Sequence, residues 1–307
     1  MLAGLSLTQV ALLLVAGVLL DLLLGEARRW HPLVGFGNLA QWIERRANRG
    51  NWRIARGLLA WSMAVMPLTA LAAVAVHFGG LLVHAVLLYF AIGLRSLREH
   101  NLPIADALER DDLAGARTLT ARIVSRDTAA ASPTDLAKAS AESLLENGND
   151  AVFGALFWFI VAGGPGVLLF RLANTLDAMW GYRTPRFLLF GRVAARIDDV
   201  LNFVPARLTA LSYVLLADQP RRAWQCWRTQ APVWTSPNAG PVMASGAGAL
   251  GVALGGAAIY DGVIEERPPL GFGAAPEGDD IRRAWGLVRT TTLLWLAVMT
   301  VLGVLYA

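Results

Sequence analysis

Three apolar runs of membrane-crossing length constrain this chain more than anything else in it. Residues 2–24, 54–78 and 287–307 each supply the roughly 20 apolar residues that a bilayer core asks of a helix. The rest of the composition agrees. Of 307 residues, 55% are hydrophobic and 16% charged, and the mean hydropathy is +0.48. That is too apolar for an ordinary soluble domain. Four further apolar runs are shorter or interrupted. Residues 79–94 suit the return leg of a hairpin. Residues 151–170 are broken by Gly163-Gly164-Pro165-Gly166. Residues 200–217 contain Asn202, Pro205 and Arg207 and are read as a span. Residues 240–260 are rich in Gly and Ala, which suits close helix packing within a chain or between two copies.

Charge orients these runs. The loop 25–53 holds Arg28, Arg29, Arg45, Arg46, Arg49 and Arg53, and the region 95–150 holds six arginines and Lys138. Both belong in the cytoplasm by the positive-inside rule, which leaves the N-terminus outside. Residues 171–199 carry five arginines and want the same side. A single full crossing at 151–170 would strand them outside, so that run is predicted to break and return. Non-helical backbone at such depth requires cover from protein or a cavity. The expected fold is therefore all-α: one polytopic integral membrane domain over 1–307 with a broken or re-entrant helical segment. Its large polar region (25–53, 95–150 and 171–199) faces the cytoplasm from the inner membrane. The N-terminus lacks the basic start of a cleavable signal. One cysteine, Cys226, excludes an intrachain disulfide.

The polar stretch 126–150, RDTAAASPTDLAKASAESLLENGND, lies against these apolar runs. Acids and amides so close to lipid are costly and are usually kept for a site. Ser132-Pro133-Thr134-Asp135 predicts a helix start, with Gly148 as its stop. Glu142 and Glu146 then share a face, and Asp150 follows. Three carboxylates facing one way repel unless a cation or an arginine sits between them. A Mg²⁺ ion with phosphate oxygens is one solution, and a solvated acidic face has the same spacing. Asp198-Asp199 is a second acid pair, flanked by Arg192, Arg196 and Arg207, and it suits either structural ion pairs or a share in one metal–phosphate site. Asn174 and Asp177 lie three apart on one helix face, which capping would also explain. Basic residues are almost all Arg, and Lys138 is the only lysine among 27. Arginine forks suit phosphate and carboxylate, and genome base composition gives the same bias. No phosphate loop, dinucleotide fingerprint or basic-aromatic array is present, so nucleic acid is not an expected partner.

The ordered motifs resemble one family. Asp21-x-x-x-Gly25, His31-Pro32, Arg126-Asp127-Thr128 and Glu142-x-x-x-Glu146-Asn147-x-x-Asp150 come first. NTLDAMWGY (174–182), FGRVAARIDDVLNFVPARLT (190–209) and SPNAG (236–240) follow. The set resembles the CobD/CbiB family of cobalamin biosynthesis, the adenosylcobinamide-phosphate synthases, over residues 21 to about 260. The sequence departs at Gly25-Glu26-Ala27 and in the individual loop 261–282. The resemblance implies ATP-dependent amide formation between adenosylcobyric acid and (R)-1-aminopropan-2-ol or its O-phosphate. It further implies Mg²⁺ among Glu142, Glu146, Asp150, Asp198 and Asp199, and phosphates on Arg126, Arg196 and Arg207. Asn147, Asn174, Asp177 and Tyr182 would orient the corrinoid or amine, and Asp127 would act as base. Asp21, His31, Thr128 and Asn238 are further candidates for substrate contact. The competing classes are a non-catalytic, AmpE-like regulatory membrane protein, which would be expected to lose some of these acids, and a small-molecule transporter.

Overall fold

A computed structural model describes residues 4–26, 31–260 and 262–307. Residues 1–3, 27–30 and 261, which include Arg28 and Arg29 of the basic loop, lie outside the described residues. The chain is helical, with α1 (Leu7–Leu24), α2 (Pro32–Ala47), α3 (Arg53–Ala91), α4 (Leu94–Glu109), α5 (Leu113–Thr120) and α6 (Pro133–Gly148). A π turn at Asn149–Phe153 leads into α7 (Gly154–Trp180). Then come α8 (Arg192–Leu215), α9 (Pro220–Gln230), a 3₁₀ turn (Ala231–Val233), α10 (Ala239–Leu250) and α11 (Gly278–Leu305). Between α10 and α11 lie four three-residue strands, β1 (Ala253–Gly255), β2 (Ala258–Tyr260), β3 (Val263–Glu265) and β4 (Pro269–Gly271). They pair antiparallel as β1–β4 and β2–β3.

Among the described residues four helical stretches are long and apolar enough to cross a membrane: Leu7–Leu24, Arg53–Glu109, Pro133–Trp180 and Gly278–Leu305. Large apolar side chains on them are exposed, Leu23, Phe78, Leu82 and Val304 among them. In water such faces would drive aggregation; against lipid they need no cover. The protein is thus an all-α polytopic membrane protein. One sequence expectation about these runs changes. The 200–217 run falls in α8, which is not among the four stretches, since its polar residues dilute the apolar run. The 240–260 run, read as a broken apolar segment suited to close packing, holds α10 and two short strands. α10 stops at Leu250 on the left-handed Gly251, and strands follow. Its small residues are nearly all buried within the chain.

The chain forms two compact units. The first comprises residues 1–93, 154–202 and 296–307. Its core gathers Phe36, Trp61, Val65, Leu176, Trp180 and Phe190 from α2, α3 and α7 and the turn before α8. The break expected within 151–170 falls at Ala162 and Gly163, the latter at φ 62. Breaking the helix frees backbone donors, and one is answered from α3. The Gly164 N–H donates to His84 Nδ1 at 2.8 Å, in the buried interior. An unanswered donor there would carry its full desolvation penalty. α3 has its own break at Gly80.

The second unit comprises residues 94–153 and 203–295. α6 packs on α4, α5 and α10, and β4 lies on α9 and α10. Gly148 does not stop α6. It is itself helical, and the chain continues through the π turn. Its value is small size, because a Cβ there would sit 3.1 Å from both Tyr213 Oη and Val288.

Candidate functional site

The site of the second unit is built on α6. Ser132 Oγ accepts from Asp135 N at 3.2 Å, and Asp135 Oδ2 accepts from Ser132 N at 3.1 Å, with Pro133 in the first turn. This reciprocal cap sets the start of the helix. One turn apart on the same side, Glu142 and Glu146 then both reach a cavity of about 390 Å³. Arg126, Ser143, Asn147, Trp234, Ser236, Tyr260, Glu265 and Arg267 also line it.

Glu142 resolves the acid repulsion with arginines. Arg126 Nη2 donates to its Oε2 at 2.6 Å, and Arg267 Nη1 donates to the same oxygen at 2.9 Å. Oε1 accepts from Arg267 Nη2 at 3.3 Å and from the Gly255 N–H at 2.8 Å. Gly255 allows that approach because it sits at φ +70, and a Cβ there would come 2.2 Å from Pro268 O. Side-chain exposure is 13% for Arg126, 3% for Glu142 and 10% for Arg267. In so dry a place charged hydrogen bonds are strong, and unpaired charge is costly. Burial alone would lower the basicity of Arg267, but Glu142 holds it above its ordinary value. The trio carries one net positive charge at the cavity wall, and the Arg267 guanidinium lies 5.7 Å from the Trp234 ring centroid.

The three acids therefore part ways. Both Glu142 oxygens are committed to donors. Asp150 Oδ1 accepts from Asn149 Nδ2 at 3.0 Å, and Thr209 Oγ1 in turn donates to Asn149 Oδ1 at 3.0 Å. Glu146 is exposed to the cavity and accepts no hydrogen bond among the described residues. Beside it Asn147 donates to Ser143 Oγ at 3.0 Å. Among the described residues no group of three or more His, Cys, Asp or Glu side chains is placed to hold a metal ion.

A second cavity, of about 250 Å³, adjoins the first at Arg126 and Ala139, which line both. Asp127 is in its wall; its Oδ1 accepts from Ala129 N at 2.9 Å, and its own N–H donates to Ile259 O at 2.8 Å. Thr128 Oγ1 donates to Arg117 O at 3.1 Å. Arg207 secures the SPNAG turn rather than standing clear of it. It donates to Asn238 Oδ1 at 2.7 Å and to Pro237 O at 2.9 Å, and stacks over Phe203 at 3.6 Å.

The remaining candidates belong to the first unit. Asp198 is buried and accepts from Asn174 Nδ2 at 3.3 Å and Asn202 Nδ2 at 3.1 Å. Arg196 reaches Asp199 at 3.4 Å. Burial pushes the Asp199 carboxyl up, and Arg196 and Arg183 counter only part of that. Asp177 lies on α7, and Tyr182 is 52% exposed after its end. Asp21 is buried near the end of α1. His31 caps α2, its Nδ1 accepting from Leu33 N at 3.2 Å. The expected five-carboxylate metal set thus draws on both units. Arg267, Trp234, Tyr260 and Glu265 escaped the sequence reading. Arg267 stands 125 positions from its partner, in the polar loop 261–282, where no periodicity marks it.

Membrane-length helical stretches define a polytopic membrane protein, and the α6 cavity is the candidate site of its second unit. Residues 14–288 match the family described as CobD/Cbib protein. The chain is 58% identical over 305 residues to the "Cobalamin biosynthesis protein CobD" of Stutzerimonas stutzeri, covering 97% of this chain and all of that one. The protein of the same name from Chromobacterium violaceum is 52% identical, with 96% and 97% covered. That of Mycobacterium tuberculosis is 40% identical, with 89% of each covered. No solved structure matches. The chain belongs to the CobD/CbiB family of cobalamin biosynthesis.

Proposed function

We propose that the protein is an ATP-dependent amide ligase acting in cobalamin biosynthesis. It joins the free carboxylate of adenosylcobyric acid to the amine of (R)-1-aminopropan-2-ol or of its O-phosphate. The observation that carries this reading is the α6 cavity, where Arg126 and Arg267 are locked on Glu142 beside an uncommitted Glu146. It is a site for anions held at fixed cations, and phosphoryl transfer asks a protein for little else.

A carboxylate is a poor electrophile. In the proposed sequence its oxygen attacks the γ-phosphorus of ATP, and ADP leaves. The amine, stripped of its ammonium proton, attacks the acyl carbon. The amide forms and phosphate departs, carrying the proton lost from nitrogen. Arg126 and Arg267 hold the phosphoryl oxygens and offset their charge. Asp127, with one oxygen used on Ala129 N, takes the ammonium proton through the other. Mg²⁺ fits these residues only as an ion shared with phosphate, since it tolerates one or two protein carboxylates and keeps substrate oxygens and water. Glu146 would hold it, and it would supply charge neutralisation. The cavity would open to the cytoplasm from the inner membrane, where the arginine-rich loops also belong.

The test is purified protein in detergent with adenosylcobyric acid, ATP, Mg²⁺ and each amine in parallel, read by mass spectrometry. An amide product that requires ATP, and that Glu146→Ala abolishes without loss of membrane insertion, is the expected result. Protein shown to be folded and supplied with lipid that forms no amide with either amine would return the weight to a regulatory role.

A further inference from the structure

The chain writes its positive charge as arginine almost everywhere, yet one position differs. Lys138 is the only lysine among 27 basic residues. It lies in the second turn of α6, half-buried, and it lines the smaller cavity of about 250 Å³. Two carboxylates share that cavity, but each is used on backbone. Asp127 accepts from Ala129 N, and Asp135 completes the cap at Ser132. Lys138 itself makes no ion pair and no hydrogen bond among the described residues. A half-buried lysine that lines a cavity without a partner can offer its ammonium to an anion from outside.

The rest of the wall narrows the class. Arg126 stands in both cavities, so an anion met there can be reached by a guanidinium and an ammonium together. The cross-strand pair Ile259 and Ile264 of the β2–β3 hairpin also lines this cavity, with Ala258. Tyr260 and Glu265 of the same hairpin line the larger cavity. The hairpin thus adds apolar side chains to a cavity that Lys138 and Arg126 also line. We infer that this cavity is a binding site for a phosphate-bearing ligand. Lys138 and Arg126 take the phosphate, and the ligand's carbon skeleton lies on Ile259 and Ile264. This deepens the ligase reading, because ATP and a phosphorylated amine both carry such a group.

The single lysine makes the test clean. Purified full-length protein in detergent is treated with an amine-reactive acylating reagent, and modification of Lys138 is followed by peptide mass. The rate is compared without ligand and with ATP, tripolyphosphate, aminopropanol phosphate, aminopropanol or adenosine. Supplied at about ten times its dissociation constant or more, at least one phosphate-bearing compound should slow the modification by about tenfold or more, since only the unoccupied fraction reacts. Aminopropanol and adenosine should not slow it. Protection by ATP and tripolyphosphate would identify a nucleotide phosphate, and protection by aminopropanol phosphate alone would identify the amine substrate. Lys138→Met should weaken binding of the protecting compound by about tenfold or more in titration calorimetry, as loss of one charge-assisted contact implies, while a control at exposed Arg228 leaves it unchanged. Equal rates with every compound, or a Lys138 that resists the reagent without ligand, would overturn the assignment. Amide formation with an unprotected Lys138 would sink this inference and leave the ligase standing. Protection without any amide product would do the reverse.

Discussion

Replacing Glu142 by Gln should destabilise the second unit severely, and the size of the effect follows from the contacts. The carboxylate accepts four hydrogen bonds, from Arg126, twice from Arg267, and from Gly255 N. The amide keeps the volume but presents N–H groups to donors on one side and removes the charge that holds two buried cations together. Breaking a buried pair in this way costs about 3–5 kcal/mol, because uncompensated charge stays behind. For a unit of this size each kcal/mol lowers the melting midpoint by roughly 2–4 °C, so a fall of roughly 6–20 °C is expected. Thermal unfolding in one detergent at one protein concentration is the assay. The double variant Glu142→Gln with Arg267→Met removes one of the stranded cations and should recover part of the loss. A metal-ligand role predicts something else: near-normal stability, lost activity, and partial rescue at high Mg²⁺. A Glu142→Gln midpoint within 2 °C of the parent (below the smallest shift that about 1 kcal/mol gives) would refute the arginine-clamp reasoning.

Three other outcomes follow from the same contacts. His84→Ala leaves the Gly164 N–H without its acceptor at the break in α7 and should cost about 1–3 kcal/mol, seen as a lower melting midpoint; an unchanged midpoint would show that the break is answered otherwise. At Glu44, burial pushes the carboxyl up, but the Arg186 and Asn48 hydrogen bonds and the Arg186 charge outweigh it and hold the group below its ordinary value. A depressed carboxyl contributes stability that is complete above the ordinary value of 4.5 and is lost as pH falls below it. Melting curves from pH 6 down to 3 (a span chosen to bracket that value) should therefore converge for the parent and Glu44→Gln, and parallel curves would contradict the sign. Arg207→Ala should loosen the SPNAG turn, read as faster proteolysis after Trp234, whereas a purely phosphate-binding Arg207 would leave that rate unchanged.

The sequence made α6 legible because its signals are local. Ser132, Pro133 and Asp135 set the start, and a four-residue spacing puts Glu142 and Glu146 on one face. It also made plain that the acids need a cation or an arginine between them, though not which. The answer at Glu142 is Arg267, brought in by short strands whose three-residue lengths carry no readable alternation. Gly148 misled for a related reason. Glycine often ends a helix, but here tertiary packing on Tyr213 and Val288 asks only for a residue without a side chain. In the apolar run 240–260, read from sequence as a broken segment, Gly251, Gly255 and Gly256 are all at positive φ, and strands follow α10 there. The break in α7 was visible as Gly163-Gly164-Pro165-Gly166, while the histidine that answers it sits 80 positions away.

The most direct test of the proposed chemistry follows one oxygen. Adenosylcobyric acid labelled with ¹⁸O in its free carboxylate is incubated with the purified protein, ATP, Mg²⁺ and the competent amine. The account predicts that each amide formed is matched by one ¹⁸O atom transferred to inorganic phosphate. Amide formed with unlabelled phosphate, label found in AMP, or no amide at all would contradict it.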